Sequence, residues 1–314
     1  MILPQALKSG STIGVVSLAS PPFRPSAVAE GVANLEKMGY QVKLAPHLMD
    51  VNRYLSGKDE DRLTDFHAMV QDPSIAAIMS TRGGYGSGRI LTRLDFDLIK
   101  RNPKIYIGYS DITSILVAIT EKTGIVTFYG PMLSSDFKDP VSGYTVDFFK
   151  RLIANGESSI PIQAYPDPQK ALVIAAGKAE GALTGGCLTL LTYLMGTPYE
   201  FDTRGKILFI EEIDEAPYRL DGMLTHLYNA GKLQQCAGIA IGELVDCDPK
   251  SGYPMGSFHW EDVLADRLGN LGIPVLANLC FGHGPHKATL PLGVRARIDT
   301  VSREMTLLEA SVQV

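Results

Sequence analysis

Cysteine is scarce in this chain. Cys187, Cys236, Cys247 and Cys280 are scattered through 314 residues, with no Cys-x-x-Cys pair and no histidine at ligand spacing beside them. That argues against a disulfide framework and against a cysteine-built zinc site, and leaves reduced, half-buried thiols as the expectation. Lys and Arg form no run longer than a pair, and a net charge of −5 offers no basic face to a nucleic acid. No apolar stretch approaches the ~18 residues of a membrane span. The nearest thing to a secretory signal is Lys8 followed by Ile13-Gly14-Val15-Val16-Ser17-Leu18-Ala19. It is short and runs into Pro21-Pro22, so it reads as a buried first strand, and a cytoplasmic location is expected.

What is present is a globular composition, 45% hydrophobic and 20% charged. Through the first half, apolar runs alternate with helical spacings. Strands are predicted at 12–18, 41–45, 75–79, 105–107 and 125–128, and helices at 26–38, 59–70, 87–93 and 111–122. Such alternation predicts an α/β fold with a mostly parallel sheet covered on both faces. Residues 155–172 carry Asn155, Gly156, Ser158, Ser159, Pro161, Pro166 and Pro168 with little periodicity and have the composition of a linker. Two domains are therefore expected, 1–160 and 170–314. In the second, strands are predicted at 207–210, 237–244 and 275–279, helices at 188–194, 220–233 and 261–271, and β structure at 294–308.

In open parallel sheets, ligands sit beyond the carboxyl ends of the strands. Three segments there carry chemistry. Gly108-Tyr109-Ser110-Asp111 joins a strand to a helix, where a serine hydroxyl is exposed and the following amides can stabilise an oxyanion. The match to Gly-x-Ser-x-Gly is incomplete, because Ile112 replaces the second glycine, and an ordinary helix cap at Ser110 or Asp111 explains the same residues. Ser80-Thr81-Arg82-Gly83-Gly84-Tyr85-Gly86 lacks the third glycine of a dinucleotide fingerprint and the Gly-Lys-Ser/Thr of a phosphate loop. An oxyanion hole contributed by Gly83 or Gly84 suits it better, beside the alternative of a plain glycine turn. The third segment pairs Glu211 and Glu212, ending the strand 207–210, with Phe281-Gly282-His283-Gly284-Pro285-His286 after the strand 275–279. A histidine between glycines is poorly placed for a core and well placed as a general base oriented by a carboxylate. A surface salt bridge and a loop histidine are the plainer alternatives. Together the three give Ser, Glu and His in that order, each at a strand end. A metal site from His283 and His286 with Asp246, Asp248 or Glu243 is a competing arrangement. Its His-x-x-His spacing in a Gly/Pro loop does not present both rings on one helix face.

At these residues the sequence resembles the L,D-carboxypeptidases, a serine peptidase family that includes muramoyl-tetrapeptide carboxypeptidases and microcin C immunity peptidases. The matching segments run in order across nearly the whole chain. They are Arg82-Gly83-Gly84-Tyr85-Gly86 with Arg89, Ile107 to Thr113, Gly130-Pro131-Met132, Leu183 to Leu188, Gly196-Thr197-Pro198, Gly205 to Glu212, Tyr218 to Asp221, Phe281-Gly282-His283 and Leu290 to Gly293. The resemblance implies a flavodoxin-like N-terminal domain and a C-terminal swivelling β/α domain. It implies a triad of Ser110, Glu211 and His283, an oxyanion hole near Gly84 and the Asp111 amide, no metal or other cofactor, and a homodimer. The implied activity is hydrolysis of the L,D-bond to a terminal D-amino acid of murein tetrapeptides in cytoplasmic peptidoglycan recycling. One branch of the family instead cleaves peptidyl-adenylate analogues.

An exopeptidase must also hold a free terminal carboxylate, and Arg82, Arg89 and Arg219 are the candidates. Three departures from the family pattern stand out. Gly222 replaces a frequent Arg, Tyr129 replaces a frequent His before Gly-Pro-Met, and His286 is additional. Two other functions compete. A two-lobed small-molecule binding module would not need the Ser, Glu and His. An adenylate-cleaving enzyme should stack an adenine, for which Trp260 is the one indole available.

Overall fold

The structure is a computed structural model that describes residues 1–250, 252 and 256–314. The chain forms two compact units. The first comprises Met1–Ser158, Lys287–Gly293 and Ala310–Val314, and the second Ser159–His286 and Val294–Glu309. The change of unit at 158/159 falls next to the expected boundary. The two late segments that return to the first unit are not part of the single-boundary division predicted above. Among the described residues, no helix is long and apolar enough to cross a membrane.

The first unit is an α/β layer structure. Its elements are β1 (Thr12–Val16), α1 (Pro25–Lys37), β2 (Gln41–Leu44), α2 (Asp59–Gln71), β3 (Ile75–Ser80), α3 (Phe96–Arg101), β4 (Ile105–Gly108), α4 (Thr113–Thr123), β5 (Thr127–Tyr129), α5 (Leu133–Asp136) and α6 (Gly143–Phe149). The five strands pair in parallel in the order β5-β4-β3-β1-β2, which is the flavodoxin-like order. β1 from Ile13 onward and the whole of β4 are buried because both faces are covered. Gly14 lets α2 approach β1, since a Cβ there would sit 2.8 Å from Met69 Sδ. In α4, Ile115, Leu116, Val117, Ala118 and Ile119 are all buried, each larger side chain contributing about 1.5–3 kcal/mol. Gly124, at φ +74°, ends that helix in the left-handed conformation.

The predicted helix at 87–93 is instead two 3₁₀ turns, Ser87–Arg89 and Leu91–Arg93. The α-helix starts later, where the Asp95 carboxylate caps it by accepting the Leu98 N–H at 2.8 Å. Glycine at 86 and 88 explains why propensity alone misplaced it.

The second unit contains β6 (Ile160–Ile162), β7 (Leu172–Ala175), β8 (Lys178–Cys187), α7 (Leu188–Leu194), β9 (Ile207–Ile213), α8 (Pro217–Asn229), β10 (Gly238–Val245), α9 (Trp260–Leu268) and β11 (Val275–Ala277). Next in the chain comes β12 (Leu290–Leu292), which pairs antiparallel with β5 and completes the first unit's sheet. The second unit then closes with β13 (Arg295–Asp299) and β14 (Glu304–Leu307). Its sheet runs β6-β14-β13-β8-β9-β10-β11-β7, parallel from β8 to β11 and antiparallel elsewhere. The linker expected over 155–172 is a correction, because it holds β6 and the first residue of β7. Pro161 is tolerated because β6 is an edge strand.

Candidate active site

In the first unit, β4 delivers Ser110 to the first position of a 3₁₀ turn, directly before α4. Its φ is +62°, a left-handed conformation that costs a non-glycine residue roughly 1–3 kcal/mol and recurs at functional turns. Three contacts hold it. The Ser110 amide donates to the Tyr129 hydroxyl at 3.1 Å, and Thr113 Oγ1 donates to the Ser110 carbonyl at 2.6 Å. Gly83 packs against the side chain, for a Cβ there would lie 2.8 Å from Ser110 Cβ and 2.9 Å from Oγ.

The glycine loop is fastened to this turn by buried polar groups. The Asp111 carboxylate accepts the Ser87 N–H at 2.8 Å, and Ser87 Oγ donates to the Asp111 carbonyl at 2.5 Å. Burial pushes the Asp111 carboxyl above its ordinary range, partly offset by the Ser87 hydrogen bonds. Arg62, 1% exposed, donates Nη1 to the Leu18 and Gly86 carbonyls at 2.5 and 3.0 Å and pairs through Nη2 with Asp59. The loops after β1 and β3 are thus tied to α2 by one guanidinium. Gly84, at φ +113°, lies against Ser20, whose Cβ would be 2.6 Å from an added Cβ.

In the second unit, Glu211 and Glu212 lie near the carboxyl end of β9, both buried, on opposite faces of the strand. Glu211 Oε2 accepts from His283 Nδ1 at 2.6 Å and from the His283 amide at 3.2 Å. Gly282, at φ +104°, makes this approach feasible, since a Cβ there would be 2.6 Å from Glu211 Oε2. A carboxylate on Nδ1 fixes the proton on that nitrogen and leaves Nε2 as the basic one. Glu212 faces away from the pair. It accepts the Thr189 amide at 2.7 Å and the Ile213 amide at 3.0 Å, with the Cys187 thiol at 3.5 Å. Burial and the neighbouring Glu211 charge push its carboxyl up.

The remaining predicted residues fall elsewhere. Arg89 is bound in a fork to Asp59, Nε to Oδ1 at 3.1 Å and Nη2 to Oδ2 at 2.9 Å. Arg219 pairs with Glu215 one helical turn away. Arg82 lies over the Phe23 ring, 3.4 Å from its centroid. His286 packs edge-on against Tyr165 at 4.9 Å. Asp248 is bonded to His259 at 3.0 Å. Among the described residues, the His, Asp and Glu side chains close enough to share an ion are the exposed Asp248, His259 and Glu261, not the grouping of His283 with His286. All four cysteines are buried free thiols rather than half-buried ones.

The sequence matches the description of the LD-carboxypeptidase N-terminal domain over residues 13–130 and of the C-terminal domain over residues 180–298. The chain belongs to the LD-carboxypeptidase family. It is a serine-type carboxypeptidase. This LD-carboxypeptidase is 42% identical to the probable murein peptide carboxypeptidase of Bacillus subtilis (strain 168), over 98% of this chain and 95% of the other. Its fold is similar to that of MccF in complex with glutamyl sulfamoyl guanosine, with a TM-score of 0.90 and 29% identity over the whole of both chains. It is also similar to muramoyltetrapeptide carboxypeptidase from Oxalobacter formigenes, with a TM-score of 0.84 and 29% identity over 97% of this chain and all of the other.

Sequence reasoning missed three residues of the LD-carboxypeptidase that shape these sites. Arg62 reads as one more charge on a surface helix. Tyr129 reads only as a departure from the family pattern, yet its hydroxyl accepts the Ser110 amide. Gly282 reads as loop, although a positive φ flanking His283 is what glycine there signals.

Proposed function

We propose that this LD-carboxypeptidase removes the terminal D-alanine from murein tetrapeptides, with Ser110 as nucleophile and His283, oriented by Glu211, as its base. The observation that carries the proposal is the buried Glu211 carboxylate on His283 Nδ1. The left-handed Ser110 turn before α4 supports it. His283 Nε2 takes the hydroxyl proton as Ser110 Oγ attacks the scissile carbonyl. The Gly84 and Asp111 amides stabilise the oxyanion, each worth about 3 kcal/mol in such sites. His283 then protonates the amine as the C–N bond breaks. A water molecule, losing its proton to His283, cleaves the acyl-enzyme and restores Ser110. No step calls for a metal or other cofactor. A homodimer acting in cytoplasmic peptidoglycan recycling follows from the family resemblance, and sedimentation velocity tests the first of these.

Mass spectrometry of the protein incubated with a murein tetrapeptide, alongside Ser110→Ala, tests the reaction. Loss of one D-alanine with the wild type and none with the variant is expected. Equal cleavage by both would overturn the Ser110 mechanism. Cleavage by neither favours the second reading, hydrolysis of a peptidyl-adenylate analogue, which the likeness to MccF supports.

A further inference from the structure

Covalent geometry limits where an exopeptidase can hold its substrate's end. The terminal carboxylate lies one residue beyond the scissile carbonyl, a span of about 3.5 Å. A cation that recognises it must therefore stand next to the nucleophile's own loop. In a sheet of this order, moreover, ligands sit at the switch point between β1 and β3. Arg82 is the second residue after β3, and Phe23 lies in the connection that follows β1, so the pair flanks that point.

The packing is continuous from Ser110 to this arginine. An added Cβ on Gly83 would touch Ser110 Oγ at 2.9 Å, and one on the next residue, Gly84, would touch Arg82 Nη2 at 3.5 Å. The guanidinium thus lies against the same two-glycine turn that backs the serine. Its own surroundings leave its charge uncompensated. Nη1 donates to the Pro21 carbonyl at 3.4 Å, the Phe23 ring covers one face, and among the described residues no carboxylate pairs with it. Half-burial lowers its pKa, opposed by the Tyr109 phenol and by no carboxylate. Phe23 itself is 82% exposed, so the ring acts as a plate that fixes the plane of the guanidinium and leaves its N–H edge for a planar anion. Arg89 and Arg219, by contrast, are committed to Asp59 and Glu215.

We infer that Arg82, stacked on Phe23, is the residue that binds the substrate's free terminal carboxylate and so restricts the enzyme to exopeptidase cleavage. The inference rests on the Ser110 reading above. It is tested with a murein tetrapeptide, the same peptide bearing a C-terminal carboxamide, and a fluorophosphonate probe that labels Ser110 without needing a carboxylate. The wild type should prefer the acid over the amide. In Arg82→Ala and Arg82→Gln, kcat/KM for the acid should fall about 10–100-fold, the loss of one charge-assisted pair. The amide should be affected little, so the acid-to-amide preference collapses while labelling keeps its rate. Phe23→Ala should show a smaller loss in the same direction. A preserved preference in either labelling-competent variant would overturn the assignment. So would a wild type without preference, or loss of labelling in both variants, which would make Arg82 part of the nucleophile's scaffold. Failure of the Ser110 reading looks different: wild-type protein that cleaves the acid but takes up no label.

Discussion

Gly83→Ala should disable the enzyme while leaving it folded. Gly83 has no left-handed backbone, so alanine carries no conformational penalty there, and the effect is purely steric. The new methyl would sit 2.8 Å from Ser110 Cβ, 2.9 Å from Oγ and 3.3 Å from the Asp111 nitrogen. Carbon atoms pack at about 3.5–4.0 Å, so relief needs a displacement of roughly 0.7–1.2 Å. Ser110 cannot yield without disturbing the Tyr129 and Thr113 hydrogen bonds that hold its strained backbone. Overpacking of this kind costs about 1–3 kcal/mol of stability. A shift of about 1 Å at a reacting atom costs about 100-fold in rate, or ~2.7 kcal/mol of barrier. The assay is kcat/KM for D-alanine release with the fluorophosphonate labelling rate, after circular dichroism has shown a folded protein. Gly88→Ala, where an added Cβ meets nothing within 4 Å, is the control and should behave as wild type. Wild-type turnover by Gly83→Ala would refute the idea that this glycine sets the position of the nucleophile.

Three further outcomes are expected. Tyr129→Phe removes the acceptor for the Ser110 amide and should lower kcat about tenfold with little change in KM, with partial recovery in Tyr129→His; an unchanged kcat would show that the hydroxyl does not position the turn. The Glu212 carboxyl is raised by burial and by Glu211, so the stability it gives is present at low pH and declines as pH rises from the ordinary carboxylate range through its folded value. The melting temperature of Glu212→Gln relative to wild type should therefore improve between pH 4 and pH 7, and a difference independent of pH would contradict the assigned shift. Burial pushes the thiols of Cys236 and Cys247 up to about 12 and that of Cys187 well above its ordinary value. Native protein should accordingly be inert to a thiol-titrating disulfide reagent at pH 8, and all four cysteines should react once it is denatured.

Most of the parallel sheet of the first unit was legible because β1, β3, β4 and β5 are largely buried on both faces. Ile13 to Val16 and Ile105 to Ile107 read as apolar runs without reference to any partner. Pairing was harder to read. Residues 160–162 look like linker because Pro161 and the surrounding polar residues are tolerated on an edge strand, where one side needs no donors. β8 was hidden by glycines at 181, 185 and 186. Gly185 is there for close approach to β9, since an added Cβ would lie 2.8 Å from the Phe209 carbonyl carbon. For the candidate site, residue chemistry at strand ends was enough to nominate Ser110, Glu211 and His283. It was not enough to choose among three arginines, because only coordinates reveal that Asp59 and Glu215 already hold two of them.

The return of Leu290–Leu292 to the first unit's sheet has a consequence for biosynthesis. Until those residues leave the ribosome, β5 presents an unpaired edge with Phe128 and Tyr129 on it. About 160 residues separate the two strands, so at 5–20 residues per second the nascent sheet waits roughly 10–30 s for its last member. A gene fragment stopping at residue 158 would carry that open edge permanently. Such a fragment should associate edge to edge, and supplying the final 28 residues as a separate peptide would not restore the covalent return that normally brings β12 into register.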